Sequence, residues 1–270
     1  MMRSLWTAAS GMVSQQTNLD TIANNLANVN TVGYKKESAE FKTLLYQTIQ
    51  DTTTDNNGDA KPTSAQVGLG VRNSAITTHY TQGSLQETGN TYDFALQGSG
   101  FFMVQMADGS VGYTRSGSFN LATGSEGMVL ATSGGNPVLD VNGKPIVFGP
   151  EYDTSKLTVD ANGNFCYPDE NNNAQSLGIT IGVAQFNNPA GLLKSSDSIV
   201  KETDASGEAI WGVNAAANSN VSIKQGYLES SNVQTADEMV NLIVAQRAYE
   251  MNSKIITASD EMLQQANNLR

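Results

Sequence analysis

Residues 235–267 read TADEMVNLIVAQRAYEMNSKIITASDEMLQQAN, and Leu242, Tyr249, Ile256 and Leu263 recur there every seven residues. Ala248, Ile255, Met262 and Leu269 form a second row, one position before most of these, and widen the apolar stripe. Thr235 and Glu238 have capping-box spacing just ahead of the run. Asp237 and Glu238 put negative charge in the first turn, where the helix dipole favours it. The stretch predicts one long helix over 235–267. About 30 residues at ~1.5 Å each make it ~45 Å long, more than the usual globular helix.

The other end of the chain repeats the pattern. Leu5, Met12, Leu19 and Leu26 recur every seven residues, and Ala8, Gln15, Ile22 and Val29 follow each by three. This is an a/d seam over nearly four heptads, and a helix over about 3–31 is expected, with Gly33 as its C-cap. Two sustained heptads at opposite ends of one chain are expected to pair as a coiled coil. An ordinary antiparallel helix pair inside a monomer fits the same pattern. Asn24, Asn25, Asn28 and Asn30 are costly in a helix, because Asn competes for local backbone bonds. A frayed helix end or polar contacts that fix register between subunits accounts for them.

The middle, roughly 70–225, reads as β. Tyr92, Phe94 and Leu96 alternate with Asp93, Ala95 and Gln97, and Ile179, Ile181 and Val183 with Thr180, Gly182 and Ala184. Asp108-Gly109, Asn142-Gly143 and Asn162-Gly163 are hairpin-type dipeptides between short apolar runs. The fold class is therefore α+β: long N- and C-terminal helices pairing as a coiled coil, with a central all-β domain between them. The expected parts are an N-terminal helix and linking segment (1–75), a β domain (76–225) and a C-terminal helix (226–270). The polar stretch 47–66 is expected either as a solvent loop or as a segment ordered only against a neighbouring subunit.

Of the 270 residues, 39% are hydrophobic, ample for a sizeable core. The net charge of −11, with Lys35-Lys36 the only adjacent basic pair, argues against nucleic acid as a partner. One cysteine, Cys166, allows no intramolecular disulfide and no cysteine-based zinc site. The N-terminus has no apolar core of a secretory signal, and no run of about 18 apolar residues predicts a membrane span.

No constellation of catalytic residues can be assembled. His79 is the only histidine, in a β-like stretch, and no Gly-x-Ser-x-Gly elbow accompanies it. Cys166 lies between Phe165 and Tyr167, a strand setting rather than an activating one. Gly98-Ser99-Gly100 precedes a strand, so it is no dinucleotide fingerprint. Asp160-Ala161-Asn162-Gly163-Asn164 lacks the ligands of a calcium loop and reads as a hairpin turn. Hydrolysis of a cell-wall sugar would need paired carboxylates, and nothing in the sequence brings Asp93, Asp140 or Glu151 together. The expectation is a non-enzyme with no cofactor and no metal.

Three stretches carry a resemblance. The first is Ile22-Ala23-Asn24-Asn25-Leu26-Ala27-Asn28-Val29-Asn30-Thr31 with Gly33-Tyr34-Lys35-Lys36. The second is Gln82-Gly83-Ser84-Leu85, Gln97-Gly98-Ser99-Gly100-Phe101-Phe102 and Tyr113-Thr114-Arg115-Ser116-Gly117. The third is Gly226-Tyr227-Leu228-Glu229, Met239-Val240-Asn241-Leu242-Ile243 and Gln246-Arg247-Ala248-Tyr249-Glu250. In this order they resemble the bacterial flagellar rod and hook family across essentially the whole chain. The opening Met1-Met2-Arg3-Ser4-Leu5-Trp6 and Leu44-Leu45-Tyr46-Gln47-Thr48-Ile49 are most similar to members that build the distal rod, with proximal rod and hook members as the alternative.

The resemblance implies a structural subunit exported by the flagellar type III apparatus without signal cleavage. Its partners would be copies of itself, other rod and hook subunits and bushing ring proteins, in the basal body outside the cytoplasmic membrane. Both terminal helices would line the core of a helical tube that transmits motor torque to the hook. The helical seams of the assembly would be Leu5, Met12, Leu19, Ile22, Leu26, Val29, Leu242, Tyr249, Ile256 and Leu263, with Asn24, Asn25, Asn28 and Asn30 as polar register contacts.

Overall fold

The computed structural model describes residues 2–50, 65–124, 127–149, 151–153, 156–169, 174–211 and 221–268. It is α+β, with helix α1 (Met2–Ala27) and helix α2 (Thr235–Asn268) at the two ends and strands between them. The chain divides into two compact units. The first takes Met1–Ala27, Glu37–Thr78 and Gln234–Arg270; the second takes Asn28–Lys36 and His79–Val233.

In the first unit α2 begins at Thr235, as expected. Glu238 does not act as half of a capping box on the surface. Its backbone N–H donates to the Gln234 carbonyl at 3.1 Å, and its carboxylate is buried, turned toward α1. Helix α1 stops at Ala27, four residues before the expected end at 31. The asparagines are the reason. Thr31 N–H and Oγ1 donate to the carbonyl and side-chain oxygen of Asn28 at 3.2 and 3.1 Å, a local arrangement that competes with helix continuation. Gly33 is therefore no helix cap. Within the second unit a Cβ at Gly33 would lie 2.7 Å from the backbone of Arg115 and Ser116, so it is needed for close approach.

Strands β1 (Glu37–Thr43), β2 (Tyr46–Gln50), β3 (Ala65–Gly68) and β4 (Val71–Thr78) complete the first unit. β1 pairs antiparallel with β4, with a register shift between Glu40 and Phe41, and β2 pairs with β3. Helix α1 packs on the β1–β4 ladder as well as on α2. Asn73 Nδ2 donates to Thr17 Oγ1 at 2.6 Å and Val71 N–H to Ser10 Oγ at 3.3 Å. Residues 51–64, the centre of the polar stretch 47–66, lie outside the described residues.

The second unit holds the strands β5 (Leu85–Glu87), β6 (Phe94–Gln97), β7 (Phe101–Gln105), β8 (Val111–Thr114), β9 (Phe119–Thr123), β10 (Met128–Thr132) and β11 (Val147–Phe148). They are followed by β12 (Thr158–Val159), β13 (Asn164–Pro168), β14 (Ala174–Thr180), β15 (Val183–Ala184), β16 (Leu193–Lys194), β17 (Ile199–Lys201), β18 (Ser222–Gln225) and β19 (Tyr227–Glu229). A five-stranded antiparallel sheet of order β15-β7-β8-β17-β16 is flanked by three-stranded sheets β11-β10-β9 and β12-β13-β14 and the pairs β18-β6 and β19-β5. The three Gly dipeptides make the turns expected of them. Gly109, Gly143 and Gly163 donate to the carbonyls of Met106, Asp140 and Asp160 at 2.9, 2.8 and 2.8 Å.

Strand β7 shows how the core is filled. Successive side chains of a strand point to opposite faces. Phe102 and Val104 enter one buried cluster with Phe94, Phe119 and Phe165, while Phe101 and Met103 enter another with Tyr113 and Leu139. Edge-to-face rings tie the first cluster, Phe102 to Phe119 at 5.2 Å and Phe148 to Phe165 at 5.0 Å. The alternation expected at 92–97 gives way for the same reason: Phe94, Ala95 and Leu96 are all buried, so β6 is covered on both faces.

Candidate assembly interface

Helices α1 and α2 pack along each other in the first unit. A Cβ at Gly11 would lie 2.9 Å from Asn252 Nδ2, and Asn25 Nδ2 donates to Glu238 Oε2 at 3.3 Å. These contacts are fourteen residues, two heptads, apart on each helix and run in opposite chain directions, so the helices are antiparallel. Apart from Ile22, the buried residues of the two helices are small or polar: Ala8, Ser14, Thr21 and Asn25 on α1 and Glu238, Ala245 and Ser259 on α2.

Most of the large apolar residues of the sequence stripes are less deeply covered. Leu5, Met12, Leu19, Leu26, Leu242, Ile256 and Leu263 are half-buried, Tyr249 is exposed, and of the expected seam residues only Ile22 is buried. Val29 is half-buried and falls beyond the end of α1. A second stripe, Val244, Met251, Ile255 and Met262 at steps of seven, four and seven, stays outside, with Val244 62% and Met251 59% exposed. On α1, Trp6 and Val13 are exposed, and on β2 and just before it so are Leu45, Tyr46 and Ile49. Exposed large apolar side chains in this number, on both helices, mark a surface suited to contact with another molecule.

The asparagines part company. Asn25 is buried and used within its own chain: Nδ2 donates to the Glu37 carbonyl at 2.8 Å and Oδ1 accepts from Glu37 N–H at 2.9 Å. It clamps the start of β1 to α1, which an intersubunit role did not foresee. Asn28 is half-buried in the turn described above, whereas Asn24 and Asn30 are exposed.

Sequence reasoning missed a buried ionic cluster in the second unit. Glu229, at the end of β19, pairs with Lys35 Nζ at 2.6 Å through Oε1 and with Arg115 Nε at 2.5 Å through Oε2. Gly83 N–H also donates to Glu229 Oε1 at 2.8 Å, and Gly33 N–H to the Glu229 carbonyl at 2.8 Å. Lys35 Nζ reaches the Thr81 carbonyl at 2.7 Å, and the Arg115 guanidinium caps the carbonyls of Leu96, Gly98 and Gly100. Burial pushes the Lys35 ammonium below its ordinary range, partly offset by Glu229. One carboxylate thus joins four separate stretches of chain. All of them belong to the motifs quoted above, and the signal was available there: three charged residues standing among glycines in an otherwise charge-poor chain.

Two of the carboxylates weighed for catalysis, Asp93 and Asp140, have structural partners. Asp93 accepts from Thr88 Oγ1 at 2.6 Å, and Asp140 from the backbone of Val141 at 2.6 Å and Thr180 at 3.1 Å. Among the described residues there is no group of His, Cys, Asp or Glu that could hold a metal, and no helix long and apolar enough to cross a membrane.

Comparison with known proteins bears directly on these surfaces. Residues 5–35 match the family described as flagella basal body rod protein, 95–167 the D1 domain of flagellar hook protein FlgE/F/G, and 224–269 the C-terminal part of flagellar basal body rod FlgEFG proteins. The whole chain is 44% identical to the flagellar basal-body rod protein FlgG of Borreliella burgdorferi, covering 99% of it. It is 42% identical to the FlgG of Agrobacterium fabrum, over 97% of each chain, and 39% identical to that of Bacillus subtilis, over the full length of both. The chain belongs to the FlgG family of flagellar basal-body rod proteins. It is a structural subunit of the rod, in the flagellar basal body. Lys35, Arg115 and Glu229 each fall in a different one of the three matched segments, so the ionic cluster draws the rod-family elements of the second unit to one point.

Proposed function

We propose that this chain is the distal-rod subunit, polymerising into a helical tube that carries motor torque to the hook. The observation that carries the reading is the exposed apolar stripe on α1 and α2, together with full-length similarity to rod proteins. Fully burying a large apolar side chain is worth roughly 1.5–3 kcal/mol, so covering several half-exposed ones is worth several kcal/mol per contact with a neighbour. A head-to-tail contact that does not close generates an open helical filament, which a shaft requires. In this reading the stripes and the half-buried leucines of 1–75 and 226–270 pack as coiled-coil seams between copies, and Asn24, Asn28 and Asn30 fix register. The segment 47–66 orders against a neighbour and stiffens the tube. The subunit crosses the cytoplasmic membrane through the flagellar type III apparatus without cleavage, meets other rod and hook subunits at the tube ends and bushing ring proteins around it, and catalyses nothing.

Clean deletion of the gene in its host, followed by electron microscopy of basal bodies, tests this. A truncated rod lacking hook and filament is expected. Complete, working flagella would remove the assignment, and loss of the entire rod would move the subunit to the proximal end.

A further inference from the structure

Glu229 does not balance the charge around it. Lys35 and Arg115 bring two cations to one carboxylate, with side chains 4% and 7% exposed. An ammonium offers three N–H groups and a guanidinium five. Lys35 uses two, on Glu229 and Thr81. Arg115 uses four, on Glu229, Leu96, Gly98 and Gly100. One N–H of each cation therefore meets no acceptor among the described residues. Both cations line one small cavity of the second unit, whose other walls include Tyr80, Phe101, Phe186 and Pro189. Its volume is ≈ 70 Å³. A water occupies about 10–15 Å³ on that measure, so roughly five non-hydrogen atoms fit. That excludes a nucleotide or any large cofactor. It admits a carboxylate on one or two methylenes, the size of an Asp or Glu side chain. Buried positive charge in excess calls for an anion. The apolar walls suit methylenes, which phosphate and sulfate lack.

We propose that this cavity is a carboxylate-binding site, occupied in the assembled rod by an Asp or Glu side chain of a neighbouring copy. The chain carries 26 acidic against 15 basic residues, so every copy offers carboxylates in excess while this cluster holds buried positive charge in excess. The occupant rests on the assembly reading; the chemistry of the site does not.

The test uses the full chain and sodium propionate, with sodium chloride at matched ionic strength as the control. In dilute, unassembled protein, propionate produces saturable nuclear magnetic resonance shifts of the Tyr80, Phe101 and Phe186 rings. Lys35→Met weakens that binding by about tenfold or more, because a charge-assisted hydrogen bond is lost. Absence of a saturable shift in the unaltered protein overturns the site whether or not the variant folds. So does undiminished affinity in a folded Lys35→Met protein. In polymerised protein the neighbour already fills the cavity, so propionate no longer binds, and during polymerisation it slows growth several-fold relative to chloride. Equal affinity in polymer and monomer assigns the site to a free small carboxylate and overturns the neighbour as occupant. Protein that never polymerises in chloride sinks the assembly reading and the neighbour with it, while the titration of monomer still decides the site.

Discussion

The two units of this chain use apolar residues in opposite ways. In the second unit nearly every large apolar side chain is inside: Phe94, Phe102, Phe119, Phe148 and Phe165 are at most 1% exposed. Among the described residues of the first unit the buried apolar ones are Ala8, Ile22 and Ala245, beside buried Ser14, Thr21, Asn25, Glu238 and Ser259. Trp6, Val13, Val244, Met251, Ile255 and Met262 are exposed. One unit is complete as a folded object. The other leaves large apolar side chains that none of the described residues covers. Dispersion and hydrophobic burial are short-ranged and proportional to area, so the second unit's large apolar side chains stabilise it internally, while many of those described in the first unit gain little from their own fold.

The comparison can be broken most forcefully in the second unit. Phe102→Ala removes a fully buried ring shared with Phe119 and should cost about 3–5 kcal/mol in urea unfolding of the monomer. A loss under about 1 kcal/mol would mean that this core is not what holds the unit. Asn25→Leu comes next, and it probes the one place where the first unit is firmly built. It leaves Glu37 N–H and carbonyl without their partner, so a monomer loss of about 1–3 kcal/mol is expected. An undisturbed monomer with failed assembly would return Asn25 to an intersubunit role.

A pH titration sharpens the picture of the second unit without any substitution. Burial pushes Tyr80 and Tyr113 up from 10.0 to about 12, with nearby Glu202 adding to the effect at Tyr113. A raised folded-state value favours the neutral phenol in the native protein. The stability it confers is full below pH 10 and is lost as pH rises through about 12. Ring resonances of Tyr80 and Tyr113 should show both phenols ionising above the ordinary tyrosine range, together with unfolding. Ionisation of either at 10.0 in the folded protein would contradict its burial.

The smallest effect on the monomer should be the largest on the rod. Val244→Ser with Met251→Ser, both on the exposed stripe, should alter monomer unfolding by less than about 0.5 kcal/mol. Sedimentation should nevertheless show polymerisation abolished. A double variant that polymerises normally would make the stripe an ordinary surface.

Much of this was readable in advance, and particular residues show why. The heptads at 5–26 and 242–263 and the turns at Asp108-Gly109, Asn142-Gly143 and Asn162-Gly163 are local codes, in which spacing or backbone freedom alone selects the structure. Helix α1 was read four residues too long, since the same heptad ran on through Val29 while the Asn28 turn won locally. Leu5, Met12, Tyr249 and their companions are expectations about contacts between copies, whereas the contacts between the two helices of one chain include Gly11 with Asn252 and Asn25 with Glu238. A seven-residue period names a face only to within a neighbouring row.

By itself, then, the sequence determined the helix–β–helix order, the turns and, through motif likeness, the rod and hook family. All of these follow from residues close together in the chain or from their order along it. Only the tertiary structure decided which row of each helix is covered and that Glu229 meets Lys35 across 194 positions and Arg115 across 114. Burial and ion pairing depend on distances in space, and no local pattern carries the partner of a charge that far away.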